Sequence, residues 1–314
     1  MACGRVARVI ARPWLAAAVP CIALLELIAV PMVGSWVPAR ADWARLRSVV
    51  QAFSEPGTLV LVTPRWAEPL ARAALPTGML PAQVLARADE EGFETALEIA
   101  LGGERSPELK SWKLLETTDS GPFTLRRWRN PDFRPQLFDF VGELGPATAS
   151  VIHHGRDAEE ACIWMELAPR FAGGLGGPPA FPAQRFQCAV NDFVFAGVTI
   201  IDDQDYRPRR CVWAHPPPQG ALTVTYRGVP LGEKIVGHLG IPWLPARDGL
   251  GTPVTLRVTI DGRTAREFAY DEREGWKRFE FATGVTPGQL HEVTWWVQSE
   301  RFDFRHFCFE ARAR

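Results

Sequence analysis

Between Trp14 and Val37 the chain is apolar apart from a single charge, Glu26. A helix of that length covers a hydrocarbon core of roughly 30 Å at about 1.5 Å per residue, so this run governs which side of a membrane everything after it occupies. Three readings compete. Arg5, Arg8 and Arg12 precede the run with no acidic residue among them, while Arg40, Arg45 and Arg47 follow it and are partly offset by Asp42. That asymmetry is a modest positive-inside signal for a membrane anchor. Ala39-Arg40-Ala41 has the small-x-small form of a signal cleavage site, although a signal core usually spans only about 7 to 15 residues. Pro20 and Pro31 weigh against a buried core helix, because a membrane helix absorbs proline better than a soluble one does. The anchor reading is preferred, and the first two agree on export. The expectation is a single-pass inner-membrane protein with residues 1–40 as cytoplasmic tip and anchor and the C-terminal part in the periplasm.

Export changes how the cysteines are read. Cys3 and Cys21 lie before or within the apolar run, which leaves Cys162, Cys188, Cys211 and Cys308 beyond it. In an oxidising compartment four cysteines suit two disulfides, with three pairings open. Cys211 with Cys308 is preferred, since closing a loop of nearly 100 residues restrains the unfolded chain by about 4 to 5 kcal/mol. No spacing resembles a zinc motif, and no C-x-x-C occurs to make a redox centre. Lys plus Arg (35) balances Asp plus Glu (36), which argues against a basic face for nucleic acid.

From Ala41 to Phe53, Trp43, Leu46, Val49, Val50 and Phe53 recur at intervals of three and four, which predicts an amphipathic helix. Thr58 to Thr63 is a short β-rich run bounded by turn residues, the pattern of a strand buried on both faces. Helical segments are expected at 66–74 and 81–88, a strand at 93–101, and a hairpin pairing 112–117 with 123–128 across Asp119-Ser120-Gly121-Pro122. Residues 41–129 therefore read as a small α/β domain with a parallel pair and an antiparallel edge. Its corner at Thr63-Pro64-Arg65-Trp66-Ala67-Glu68-Pro69 is where an open α/β sheet presents a ligand. No glycine-rich phosphate loop follows the strand, and the alternative is Trp66 wedged under a loop with Arg65 on the surface.

The run Leu59-Val60-Leu61-Val62-Thr63-Pro64-Arg65-Trp66-Ala67-Glu68-Pro69-Leu70, together with Trp213-Ala214-His215-Pro216, resembles extramembrane regions of uncharacterised bacterial envelope proteins. Some similar regions accompany multi-spanning, lipid-linked glycosyltransferases of the protein-mannosyltransferase type. The resemblance implies a place in surface polysaccharide or glycolipid metabolism, with a membrane glycosyltransferase as partner. A single hydrophobic span supplies neither the multi-spanning catalytic domain nor its acidic loop, so no catalytic residue carries over.

Asn130-Pro131, Arg134-Pro135 and Gly145-Pro146 interrupt the chain, and 130–157 is expected to be a linker. Beyond it, short strands recur at regular spacing with no credible helix between them. Val254 to Ile260 alternates in and out, and Asp261-Gly262 supplies a hairpin turn. Residues 158–314 are expected to fold as an antiparallel β-sandwich of jelly-roll type, making the whole an α+β, membrane-anchored chain.

Asp202, Asp203 and Asp205 crowd one turn and have the hard oxygen ligands of a calcium site, against the alternative of a solvated turn paired with Arg207, Arg209 and Arg210. His215 and His238 lack spaced metal partners, and without a G-x-S-x-G elbow there is no support for a nucleophilic triad. Twelve tryptophans stand out. Trp213, Trp243 and Trp276, with His215 and His238 beside them, are the candidate ligand-binding residues, because flat rings stack on sugars and polar neighbours bond the hydroxyls. Trp295 and Trp296, being adjacent in a strand, must face opposite ways. The function expected is non-catalytic recognition of carbohydrate or a glycan-assembly partner. A glycan-processing hydrolase, which needs two carboxylates about 5 to 9.5 Å apart, and a structural assembly factor are the alternatives.

Overall fold

The computed structural model describes residues 13–314 apart from 35–36, 54, 56, 77, 169–180 and 250, and in the first helix the side chains of 18–29. That helix, α1 (Pro13–Gly34), carries Val19, Ile22, Leu24, Leu25, Leu27 and Ile28 exposed in its described part. Among the described residues no helix is long and apolar enough to cross a membrane.

The small domain has the expected order. It contains α2 (Arg40–Phe53), β1 (Leu59–Thr63), α3 (Glu68–Ala74), α4 (Ala82–Leu85), β2 (Thr95–Leu101), β3 (Lys113–Ser120) and β4 (Phe123–Arg129). Strands run in the order β1-β2-β4-β3, with β1 parallel to β2 and the other pairs antiparallel. The amphipathic stripe of α2 buries Trp43, Leu46 and Val50 against one sheet face, where Val60, Val62, Leu97 and Ile99 meet the alanines of α3. On the other face Leu59, Leu61 and Ala96 pack with Trp112 and Trp128. Cover on both faces is why β1 reads as an unbroken apolar run.

Among the described residues fourteen further strands and a helix follow: β5 (Phe138–Asp139), β6 (Ala149–His154), β7 (Glu159–Ala161), β8 (Ile163–Glu166), β9 (Gln184–Gln187), β10 (Phe195–Asp202), β11 (Pro208–Ala214), β12 (Ala221–Pro230), β13 (Lys234–Gly240), α5 (Trp243–Asp248), β14 (Val254–Ile260), β15 (Arg263–Tyr270), β16 (Lys277–Ala282), β17 (Leu290–Gln298) and β18 (Cys308–Ala313). One sheet runs β16-β13-β18-β11-β10-β9-β8, with β5 added beside β18, and the other runs β15-β14-β17-β12-β6-β7. Their inner faces share one apolar core, so the expected β-sandwich is present. Strand β14 alternates buried and half-buried along its whole length. At the turn after it Asp261 (φ 49°) and Gly262 (φ 75°) both take positive φ, the geometry of a tight two-residue hairpin loop. Trp295 is fully buried. Trp296 faces the other way, where His154 stacks on one side at 4.7 Å and the Arg257 guanidinium lies 4.9 Å from its centroid.

Two expectations need correction. The stretch 130–157, expected to be a linker, supplies β5 and β6 to the sandwich, and the Phe140 ring packs edge-on to Tyr226 and Trp295 inside the core. Its Pro and Gly residues mark turns between strands, and turn chemistry does not distinguish a strand connection from a domain boundary. Helix α5 was also unexpected, at six residues too short to show a helical period.

Two disulfides form, the preferred Cys211–Cys308 across a separation of 97 residues and Cys162–Cys188 across 26. Cys211–Cys308 ties β11 to β18, which already pair in the sheet. In the chain-entropy model a loop of that size restrains the unfolded state by about 4 to 5 kcal/mol. We therefore expect Cys308→Ser to lower the denaturation midpoint more than Cys188→Ser does, measured by urea unfolding under non-reducing conditions. Equal losses would show that loop size does not set the contribution here.

A seam of charge joins the two units. Arg312 pairs with Asp89 at 2.9 Å, and Arg278 and Arg314 reach Glu91 at 3.0 and 3.1 Å. The Arg210 backbone N–H donates to the Ala86 carbonyl, and Arg209 Nη1 donates to the carbonyls of Arg87 and Ala88. The segment after α4 is thus laid onto the open end of β11. Burial alone would raise the Asp89 carboxyl, but Arg312, His238 and Arg314 outweigh it and hold it below its ordinary value.

Candidate functional site

Where β1 ends and the sandwich meets the small domain there is a cleft of about 280 Å³. From the small domain come Arg65 and Glu68, just past the carboxyl end of β1, with Arg87, Glu90 and Glu108. From the sandwich come Asp205, Tyr206, Arg207 and Arg209. The corner singled out in the sequence therefore lines a cavity, and the aspartate turn forms the opposite wall. Neither segment makes the site alone.

Of the three aspartates proposed as calcium ligands, Asp203 is taken up inside its own turn. Both oxygens of Asp203 are engaged: Oδ1 accepts from the backbone N–H groups of Asp205 and Arg207, and Oδ2 from Arg209 Nε at 2.8 Å. The backbone closes the same turn, with Asp203 N–H donating to the Arg207 carbonyl and Tyr206 N–H to that of Asp203. Among the described residues no group of three acidic, histidine or cysteine side chains is placed to hold a metal ion. Asp203 instead acts as the internal brace of a polar turn. The brace holds Tyr206 at φ 57°, a left-handed conformation that is costly for a bulky residue and persists only where its surroundings enforce it.

That conformation displays the Tyr206 ring. It is 43% exposed, and its centroid lies 5.1 Å from Trp243 on α5, whose own ring is covered by the Arg247 guanidinium at 4.9 Å. Across the seam Trp66, 55% exposed, follows Arg65 directly. It is therefore not wedged under a loop. The proline-initiated turn at Arg65–Ala67 buries Ala67 in its place.

Charges in the cleft are arranged in pairs. Arg87 donates Nε and Nη2 to Glu90 at 3.1 and 3.0 Å, Arg65 pairs with Glu108, and Glu68 pairs with Arg72 at 2.9 Å. For the Arg207 guanidinium no ion pair or hydrogen bond is found among the described residues. Burial first, then the nearby charges of Arg207 and Arg87, push the Arg65 guanidinium below its ordinary value, with Glu90 acting in the opposite direction. Fixed donors, fixed acceptors and a flat ring at the rim equip such a cavity to bond a hydroxyl-rich ligand while one sugar face stacks.

None of the five candidate ligand residues lines the cleft; Trp243 touches the ring of Tyr206 at its rim, 5.1 Å away. Trp213 is fully buried, stacked 5.4 Å from Phe195 with its indole N–H given to the Phe193 carbonyl. His215 is buried beside it with Nδ1 bonded to the Pro216 carbonyl at 2.7 Å. His238 is buried at the seam, bonded to Glu310 at 2.7 Å. Trp276 lies parallel over His238 at 5.8 Å, half-buried beneath the Arg209 guanidinium. These four rings are packing elements, the commoner fate of large aromatics in a sheet. Tyr206, Arg87, Glu90 and Glu108 were not among the sequence candidates. Only the crowding of charge around 202–210 hinted at this turn, and nothing local connects it to Arg65.

No family model matches the chain, and no curated protein matches it. Similar solved structures include the CBM51 domain of Clostridium perfringens GH95 in complex with methyl-galactose, at 10% identity and a TM-score of 0.28, covering 37% of this chain and 81% of that one. The CBM51-2 and INT domains of Clostridium perfringens ZmpB share 12% identity at a TM-score of 0.29, over 68% of this chain and 43% of that one. A family 16 carbohydrate-binding module shares 16% identity at 0.22, over 36% of this chain and 80% of that one. At such scores these likenesses carry no part of the argument about function. The resemblance to regions found with mannosyltransferase-type enzymes rests on the two sequence motifs alone.

Proposed function

We propose that this chain is a non-catalytic glycan-binding protein of the cell envelope, with the cleft at the domain seam as its binding site. The observation that carries the reading is Tyr206, an exposed ring held in a left-handed turn at the mouth of a cavity walled by guanidinium–carboxylate pairs. A pure packing role would not need that backbone cost. The two disulfides support an oxidising compartment. The exposed apolar side chains of α1 support attachment to a membrane, which would set the small domain, through α2, close to the bilayer surface.

Hydrolysis is a weaker reading. A glycosidase needs two carboxyls free to face one bond, whereas Glu68, Glu90 and Glu108 are each tied to an arginine.

Stacking with a few hydroxyl hydrogen bonds gives affinities of roughly micromolar to millimolar Kd. We expect the full chain to bind a subset of envelope-type saccharides on a glycan array and by calorimetry, and Tyr206→Ala to weaken that binding by more than about tenfold, the loss typical of a hot-spot aromatic. Unchanged affinity in a folded Tyr206→Ala protein would place the site elsewhere. Absence of binding to any saccharide would remove the reading.

A further inference from the structure

We propose that the ligand of this cleft is an acidic saccharide whose oxyanion, a carboxylate or a phosphate ester, sits between Arg65 and Arg207. The proposal rests on the reading of the cleft as a glycan site and narrows it to a charge class.

The arginines converge from four places in the chain: the end of β1, the segment after α4, the aspartate turn and the first half of β11. Two of them are committed. Arg87 spends its fork on Glu90 and donates Nη1 to the Val84 carbonyl. Arg209 spends Nε on Asp203 and Nη1 on two carbonyls across the seam. Arg65 is committed only in part and Arg207 not at all. Arg65 reaches Glu108 through one nitrogen, and Glu108 also receives the Ser106 hydroxyl. Arg207 has its backbone N–H locked to Asp203, and for its guanidinium no partner is found among the described residues.

Each nearby glutamate is already engaged, Glu108 by one nitrogen of Arg65 itself. Glu90 is held by Arg87, and Glu68 faces Arg72 on its own helix. Asp205 lines the rim and is exposed, where solvent screens it. Like charges gathered in a partly enclosed space repel, and an oxyanion placed between them removes that repulsion. A guanidinium offers two parallel N–H donors matched to carboxylate or phosphate oxygens. The braced turn, through Asp203, holds the Arg207 backbone in place before any ligand arrives, which lowers the ordering cost of binding.

Calorimetry on the full chain tests this with a galacturonate oligomer, its neutral galactose counterpart, glucose 6-phosphate and inorganic phosphate. The expected result is about tenfold tighter binding of the acidic oligomer than the neutral one at low salt, an advantage that shrinks at high ionic strength as screening grows. Arg207→Gln should remove the advantage, so that the acidic and neutral oligomers bind alike, and Arg207→Lys should restore part of it. Glucose 6-phosphate binding better than the galacturonate oligomer would identify the oxyanion as a phosphate. Equal binding of acidic and neutral oligomers, or an advantage that survives Arg207→Gln with an unchanged unfolding midpoint, would overturn the acidic assignment while the glycan reading stands. Inorganic phosphate binding as tightly as either acidic sugar, or no sugar binding at all, would overturn the glycan reading with it.

Discussion

Replacing Glu98 by alanine is expected to destabilise the small domain by about 3 to 5 kcal/mol, the usual cost of stripping one partner from a buried ion pair. Glu98 is fully buried in the middle of β2. It accepts from the Trp128 indole at 3.0 Å, from Arg126 Nη1 at 3.2 Å and from the Ser106 backbone N–H. Arg126, itself buried, also donates to the carbonyls of Gly103 and Glu104. The carboxylate therefore anchors the loop after β2, and that loop leads into Ser106 and Glu108 at the cleft wall. Removing it leaves the Trp128 indole N–H and the Ser106 N–H without an acceptor and the buried guanidinium without its counter-charge, and each unmet group adds its own desolvation cost. Glu98→Gln, which keeps an acceptor of the same shape, should lose less. Urea unfolding followed by tryptophan fluorescence measures both, and a Glu98→Ala protein as stable as the parent would show that the network contributes nothing net.

Acid should weaken the sandwich well above the usual carboxylate range. His215 and His306 lie 5.5 Å apart in a box formed by Trp213, Phe193, Phe302 and Phe304. Burial first, with Arg305 adding repulsion, drives His215 down to about 4, against smaller upward effects from the Pro216 carbonyl and Asp303. Burial, then His215 and Arg305, drives His306 down to about 3. Both folded values are depressed below that of a free imidazole. In the unfolded chain each ring takes up a proton near pH 6.5, whereas in the folded chain it stays neutral, so protons favour unfolding. Their stabilising contribution is complete above about pH 6.5 and falls as the pH drops toward 4, by roughly 3 kcal/mol per ring at about 1.4 kcal/mol per pH unit. Unfolding midpoints at pH 7.5, 5.5 and 4.5 should descend in that order, and His306→Phe, which preserves the stack on Phe193, should flatten the descent. A midpoint unchanged between pH 7.5 and 4.5 would refute it.

The same cluster explains a misreading. His215 follows Trp213 ahead of three prolines, which in a linear sequence resembles an exposed aromatic and polar binding pair. Strand β11 runs through the centre of its sheet, between β10 and β18, so both side chains are covered. Burial of a given strand residue depends on what its sheet neighbours place over it, and that information lies about a hundred residues away, at β18 and Phe302.

Local pattern determined a good deal of this protein. Helix α2, the buried strand β1, the β3–β4 hairpin, the run of sandwich strands, the Asp261-Gly262 turn and the opposed faces of Trp295 and Trp296 follow from periodicity and turn chemistry, which are properties of neighbouring residues. Four cysteines beyond the apolar run suited two disulfides, but the fold decided which pairs form. Tertiary structure alone decided the cleft. Arg65 and Arg207 are 142 positions apart in the sequence, and they share a cavity because Asp89, Glu91 and the carbonyls after α4 bind arginines of the sandwich. It also decided that Asp203 braces a turn, that Tyr206 and Trp66 are displayed while Trp213 is buried, and that residues 138–154 belong to the sandwich. Each of these depends on long-range pairing, where the free energy comes from surfaces brought together by the whole fold and leaves no period in the local sequence.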